Sequence, residues 1–491
     1  MSFSTLGVMA LGLYLAALFV VAEISRRARK DLSPSDHFLA ARELGVLVLF
    51  MTLYATAYSG NSLLGYPGEA YRRGFSWIMA VGFMMSIIVA FHLLAPKLRP
   101  LATRRGFVSP GDWVRHRFNG DPGMRPLAVA VAVLMSLALA NFLFAQLKAM
   151  GELAEQVTGG LVPYELGVIG LAATVLFYET RGGMRAVAWT DTAQGLLMLL
   201  GLMALLGWLL AGAGGFETIT RQISELRPEA VVVPDGDEVR NWISTILLLG
   251  LASVVYPQAI QRIYAARSGA TLKRAFSLMT FMPLTTTLVV TLIGVAAIPR
   301  FSHLDGAEAD RVMPLLLGEW AAVGTMAALA AVAVFIGALA AIMSTADSVL
   351  LSLGSVVAED LFGRERTDPK TTRLGKRVAA IILIGMVALA MDRSITLWRL
   401  IELKMELLVQ CVPAFMLAIH WGGLRARPTL WGLVAGTVIA TTALFVGSPR
   451  IYGFHTGTLS LCVNLLVAIA GSWLVSAWQS RRLDLRADSP A

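Results

Sequence analysis

Residues 44–74 read LGVLVLFMTLYATAYSGNSLLGYPGEAYRRG. The stretch is apolar to Leu53, then small and polar through Asn61, with Gly60, Gly65, Pro67 and Gly68 punctuating its end. Glycine and proline lower helix stability, and small polar side chains compete for backbone hydrogen bonds. A helix here is expected to unwind over Ala55–Gly60. At mid-membrane such backbone survives only when buried or lining a cavity, where its freed carbonyls can hold a cation. The same letters also fit a kinked helix packing through small residues. A second interruption, ASVVYPQAIQR, lies at 252–262. There Pro257 removes a backbone donor and clashes with the preceding turn.

Working outward, the membrane itself follows from composition. Of the 491 residues, 56% are hydrophobic and 15% charged, against about 25% charged in a soluble domain. Runs such as 196–210, 284–298, 325–342 and 378–390 contain no charge. With their flanks they approach the roughly 20 residues needed to cross the hydrocarbon core. Lipid satisfies no backbone group, so a span is a helix or a closed barrel. Barrel strands alternate apolar and polar residues; these runs do not. The net charge of +9 is not a nucleic-acid signature, because the basic residues sit in short loops between apolar runs. Cys411 and Cys462 fall inside expected helices, read as small buried hydrophobes, and offer neither a disulfide framework nor metal-ligand spacing. The apolar stretch 6–22 has its basic cluster (Arg26, Arg27, Arg29, Lys30) after it, as a retained first helix would rather than a cleaved leader.

Hydropathy yields an all-α membrane protein of about thirteen helices, at 6–22, 44–66, 74–95, 126–150, 162–179, 186–212, 241–261, 274–298, 317–357, 375–391, 395–420, 428–446 and 457–479. The ninth is too long for one span and is expected to contain an interfacial turn near Pro314–Trp320. With the N-terminus outside and the C-terminus inside, 29 of the 41 Lys and Arg residues fall in inner segments and 9 in outer ones. The inner total counts Arg262 in a loop at 262–274. Lys148, Arg399 and Lys404 lie within helices. Such a split is a strong positive-inside bias. The broken segments open two sets of five helices, 44–212 and 241–420. Broken helices at matching positions point to an inverted repeat with a midplane site between its halves. Flanking these are an extra first helix (6–22), two extra helices (428–479) and a cytoplasmic tail (481–491). One transporter-sized domain, 1–480, accounts for the chain, with no soluble domain appended.

The ninth helix carries GALAAIMSTADSVLLSLGS. Ser344, Asp347 and Ser348 share one helical face, with Thr345 beside them. A carboxyl at this depth is costly unless paired, protonated or bound to a cation, and is a functional candidate by default. The oxygen-only donor set suits a hard cation such as sodium. Helix–helix hydrogen bonding accounts for the hydroxyls equally well, but not for Asp347. Asp191, just inside the sixth helix, either supports that helix's N-terminal region or faces Asp347 as a second carboxylate.

FLAARELG (38–45), GYPGEAYRRG (65–74), YETRGGMRAVAWTDTAQG (178–195), PQAIQRIYAA (257–266), AAIMSTADS (340–348) and EDL (359–361) together resemble the sodium:solute symporter family, over roughly 5–480. The resemblance implies the leucine-transporter type of fold, with two inverted five-helix repeats plus extra helices. It also implies a sodium ion held by the carbonyls of Ala55, Tyr58 and Ala341 and the hydroxyls of Ser344 and Thr345. Some members hold a second sodium; the matching positions are Ser344, Asp347, Ser348 and Asp191. Sodium/proline transporters of the family carry an aspartate where this chain has Ala57, and several relatives have a small residue in place of Asp347. That departure bears on ion number and on sodium against proton coupling.

The solute is expected beside the ion, against Tyr58, Ser59 and Asn61, Asn141 and Gln146, and Tyr256 and Gln258. Each of these also has a plain packing reading. Lys148 with Glu152 reads as a solvated i, i+4 pair near the outer edge. Glu402, Lys404 and Glu406 either line an outer vestibule or mark a helix that starts late. The expected function is sodium-coupled symport of a small polar solute (an amino acid, a monocarboxylate or a pantothenate-like acid) across the inner membrane. Its partners are the solute and the lipid, with neither nucleic acid nor an obligate protein partner. Proton coupling in the same fold and a transporter-like membrane sensor are the alternatives. No HExxH, nucleophile elbow or P-loop suggests an enzyme, and saturable gradient-coupled uptake would separate a carrier from a channel.

Overall fold

A computed structural model describes residues 3–27, 34–301, 304–363, 369–447 and 450–487. Its principal helices are α1 (Phe3–Arg27), α2 (Val46–Ala57), α3 (Tyr66–Arg73), α4 (Met79–Arg105), α5 (Met124–Val157), α6 (Tyr164–Ala213), α7 (Gly236–Ser253) and α8 (Pro257–Ala265). They continue with α9 (Gly269–Ala296), α10 (Thr325–Leu361), α11 (Pro369–Leu389), α12 (Leu397–Leu408), α13 (Ala426–Phe445) and α14 (Thr456–Ala487). The one β element among the described residues is a hairpin of two-residue strands, Arg450–Ile451 with Phe454–His455. Among the described residues eight helices are long and apolar enough to cross a membrane, and nine if α7 and α8, bent by 51°, form one span.

The centre of the molecule is α10, packed against α1, α2, α5, α6 and α8. Its Ala, Gly and Ser residues let neighbouring backbones approach closely, as helix association in lipid requires. Across the bundle α4 packs on α7, and α13 and α14 pack on each other at one edge. The turn expected between the fifth and sixth helices appears as a break inside α6 at Gly183, whose φ of +61° favours glycine. Pro257 stands at the first position of α8, where its missing N–H costs nothing.

Several expectations need correction. The turn before α10 falls at Val323–Gly324, between a short helix Val312–Ala322 and α10 itself. Pro314 sits in the first turn of that short helix, where proline is tolerated. α14 runs helically through the expected tail to Ala487. Cys411 is buried but Cys462 is exposed. Lys148 and Glu152 are not solvated: they are 1% and 4% exposed. Lys148 Nζ donates to the Arg393 carbonyl at 2.9 Å, and Arg393 and Arg311 reach Glu152 Oε2 at 2.9 and 3.5 Å. Arg393 comes from the loop before α12 and Arg311 from the turn Gly306–Arg311 before the short helix Val312–Ala322, both far along the chain, so local spacing did not announce them. Arg262, counted above as a loop charge, is 0% exposed within α8.

Candidate ion and solute site

α2 stays helical through Ala57, and the chain leaves it at Tyr58 (φ −106°, ψ 80°). Unwinding thus begins three residues later than expected. Two bonds hold the last turn: Thr56 Oγ1 donates to the Thr52 carbonyl at 2.7 Å, and Tyr58 N–H to the Tyr54 carbonyl at 2.9 Å. The break comes where Gly60 N–H turns to Gln146 Oε1 on α5, at 3.1 Å. A Cβ on Gly60 would lie 2.7 Å from Ala149 Cβ and 3.1 Å from Ile342 Cγ1. Gly60→Ala is therefore expected to destabilise by about 1–3 kcal/mol through overpacking, read as a lower thermal midpoint of the purified protein.

A helix end leaves its final carbonyls without intrahelical partners. One of them, on Ala55, accepts from Thr345 Oγ1 at 3.2 Å, and the same hydroxyl lies 3.0 Å from the Ala341 carbonyl. Ala55, Ala341 and Thr345 therefore converge on one point between α2 and α10. Tyr58 ends the same turn of α2, and Ser344 precedes Thr345. Among the described residues no group of three or more His, Cys, Asp or Glu could hold a metal. What converges here is oxygen from carbonyls and hydroxyls, the donor type of hard cations.

Ser344 turns its hydroxyl to Asp191, donating to Oδ1 in a short hydrogen bond, while Thr52 donates to Oδ2. Arg262 completes this buried network. Its Nε donates to Thr52 Oγ1 at 3.0 Å, Nη1 to the Gln258 carbonyl at 3.2 Å and Nη2 to Ser348 Oγ at 2.6 Å. Nη2 is also 3.6 Å from Asp191 Oδ2. Ser348 in turn donates to the Ser344 carbonyl at 2.8 Å. Asp191, Ser344 and Ser348 thus meet around a guanidinium. Asp347, 4% exposed, stands apart, and its Oδ1 has no hydrogen-bond partner. Arg262 is the residue that sequence reasoning missed. The available signal was Asp191 itself, because a buried carboxylate demands a cation or a donor set.

Beside this network opens a cavity of about 870 Å³, the space at its mouth included. Five of the seven expected solute residues line it: Tyr58, Ser59, Asn61, Tyr256 and Gln258. Gln146 does not, being engaged with Gly60. Asn141, half-buried, does not line it either. Lys404 does line it. α12 begins at Leu397 behind the N-cap Thr396, so Glu402, Lys404 and Glu406 are internal to the helix and buried. Glu402 accepts from Trp398 Nε1 at 3.0 Å and from Arg450 at 2.8 Å, while Glu406 lies 3.5 Å from His455 Nδ1. The two acids therefore turn away from the cavity that Lys404 faces.

The sequence is similar over nearly its whole length to characterised carriers. It is 26% identical to the sodium/pantothenate symporter of Escherichia coli K12 over 479 residues, covering 94% of each chain. It is 25% identical to the osmoregulated proline transporter OpuE of Bacillus subtilis 168, over 96% of this chain and 94% of that one. The sodium/proline symporter of Salmonella typhimurium LT2 is also 25% identical, over 96% and 95%. Among solved structures, a substrate-bound, outward-open Na+-coupled sialic acid symporter superposes with a TM-score of 0.77 at 17% identity, covering 96% of this chain and 98% of that one. The nucleobase-cation-symport transporter Mhp1 follows at 0.55, over 90% and 95%. At these identities the structural likeness speaks for the fold: that of Na+-coupled transporters of the leucine-transporter type. The pattern of the sodium:solute symporter family matches residues 37–436, so this chain is a member of that family, an integral membrane transporter and not an enzyme.

Proposed function

We propose that the chain carries a small polar organic solute together with sodium by alternating access. Sodium is held by the carbonyls of Ala55, Tyr58 and Ala341 and the hydroxyls of Ser344 and Thr345. The observation behind this reading is the single Thr345 hydroxyl bonded to a carbonyl of each helix, Ala55 on α2 and Ala341 on α10. A cation at that junction ties the broken end of α2 to the central helix. Tyr58, Ser59 and Asn61, which follow directly, line the solute cavity, so ordering the break shapes the pocket. Coupling is then reciprocal, each ligand tightening the other. With a solute of no net charge, one sodium moves one charge inward and draws about 2.3 kcal/mol from each 100 mV of membrane potential. With a singly charged carboxylate the cycle is electroneutral and the concentration gradient of sodium alone drives it.

The second sodium set, Asp191, Asp347 and Ser348 with Ser344, is read differently. Arg262 already supplies a cation to Asp191 and Ser348, so one sodium per cycle is the proposed stoichiometry. Thirteen spans, ten of them in two inverted five-helix halves (44–212 and 241–420) and three flanking (6–22 and 428–479), with the N-terminus outside and the C-terminus inside an inner membrane, complete the proposal. The broken helices at matching positions and the charge bias support it. The solute falls among amino acids, monocarboxylates and pantothenate-like acids; the relatives named above include carriers of proline and of pantothenate.

Radioactive sodium binding to the purified chain tests the ion. Saturable binding that potassium does not displace is expected. Stabilisation by protons alone, with no sodium effect, would transfer the reading to proton coupling.

A further inference from the structure

Lys404 is 2% exposed, deep in the bundle on α12. Its Nζ lies 3.3 Å from the centroid of the Phe142 ring and 5.4 Å from that of Tyr256. Both rings, like Lys404, line the central cavity. The cavity wall contains no Asp or Glu, and Lys404 forms no salt bridge among the described residues. The other buried cations near the centre are answered: Arg262 by Asp191, and Lys148 by Glu152. Aromatic faces repay part of the desolvation of an ammonium, but three N–H donors ask for acceptors. The same wall presents two buried acceptors without donors, Asn61 Oδ1 and Gln258 Oε1. Most of the remaining lining is apolar, for instance Ile87, Phe91, Leu249 and Met279.

From this arrangement we infer that the solute is an organic monocarboxylate whose carboxylate pairs with Lys404. Its hydroxyl or amide N–H groups donate to Asn61 and Gln258, and its aliphatic body fills the apolar wall. A charge-assisted bond to a fixed cation in a largely apolar cavity holds a carboxylate strongly. A zwitterionic amino acid fits poorly, because its ammonium would lie in the same cavity as Lys404 with no carboxylate to receive it. This assignment rests on the symport reading above and narrows it by setting aside the amino acids.

The test uses the full-length purified protein and thermal shift in sodium or in potassium. The probes are pantothenate, lactate, 2-hydroxyisovalerate, the primary amide of each, and proline. At least one acid is expected to stabilise the protein in sodium, with its amide and proline without effect. Lys404→Met is expected to weaken binding of that acid by roughly ten- to hundredfold, the usual worth of a hydrogen bond to a charged group. Lys404→Arg should restore much of it. Sodium stabilisation on its own should persist in both variants, which shows that they fold. Three results overturn the inference while leaving symport intact: proline or an amide binding as well as the acids, no acid binding at all, or unchanged affinity in Lys404→Met. Failure of sodium to stabilise even the unaltered chain would instead strike the symport reading beneath it.

Discussion

Arg262→Met is expected to destabilise the protein by about 3–5 kcal/mol, the range for removing one partner of a buried ion pair. The side chain touches four separate elements of the site: Thr52 on α2, Gln258 on its own α8, Ser348 on α10 and, across 3.6 Å, Asp191 on α6. Methionine fills much of the same volume and supplies no donor, leaving Asp191 charged and buried with two hydroxyls only. The expected readout is a large fall in thermal midpoint and early proteolysis of the purified protein. Arg262→Met combined with Asp191→Asn should recover part of the loss, because the uncompensated charge is then gone. A single variant within about 1 kcal/mol of the unaltered protein, the level of an ordinary hydrogen bond, would show that the guanidinium is not structurally required.

Thr345→Ala carries the second large effect, this time on ion affinity. The substitution removes the hydroxyl that joins the Ala55 and Ala341 carbonyls. Without sodium the cost to stability is modest, about 1 kcal/mol for the lost hydrogen bonds. With sodium present the loss is larger, because two carbonyl oxygens are left with a ligand missing between them. Sodium affinity should fall at least about tenfold, which is 1.4 kcal/mol, and Thr345→Ser should restore it. Equal sodium affinity in Thr345→Ala and the unaltered chain would move the ion elsewhere.

Much of this arrangement was legible in the letters. The break in α2 was readable because small polar residues and glycine interrupt an otherwise apolar span. Its exact start was not, since Thr56 bonds back onto Thr52 and keeps Ala55–Ala57 helical. The bend between α7 and α8 was readable from Pro257. Thr345 could be placed beside Ala55 through resemblance to a known family, not through spacing. Arg262 went unread because it stands at the edge of an apolar run, where a basic residue normally marks a loop. Its burial is decided by Asp191, about seventy positions away, and no local pattern carries that information. Lys404 posed the same difficulty. Flanked by Glu402 and Glu406 it reads as the lining of an outer vestibule or the mark of a late helix start, and only the packing of α12 sends the acids one way and the lysine another. Gln146 has the polarity of a solute ligand, but its oxygen accepts from the Gly60 amide that the break sets free.

Structures of the purified protein determined in sodium and again in potassium test the central claim most directly. In sodium, density for an ion is expected at the junction of the Ala55 and Ala341 carbonyls with the Thr345 hydroxyl, and it should be absent in potassium. A well-ordered junction with no ion in sodium, or an ion bound at a place that touches neither α2 nor α10, would contradict the account.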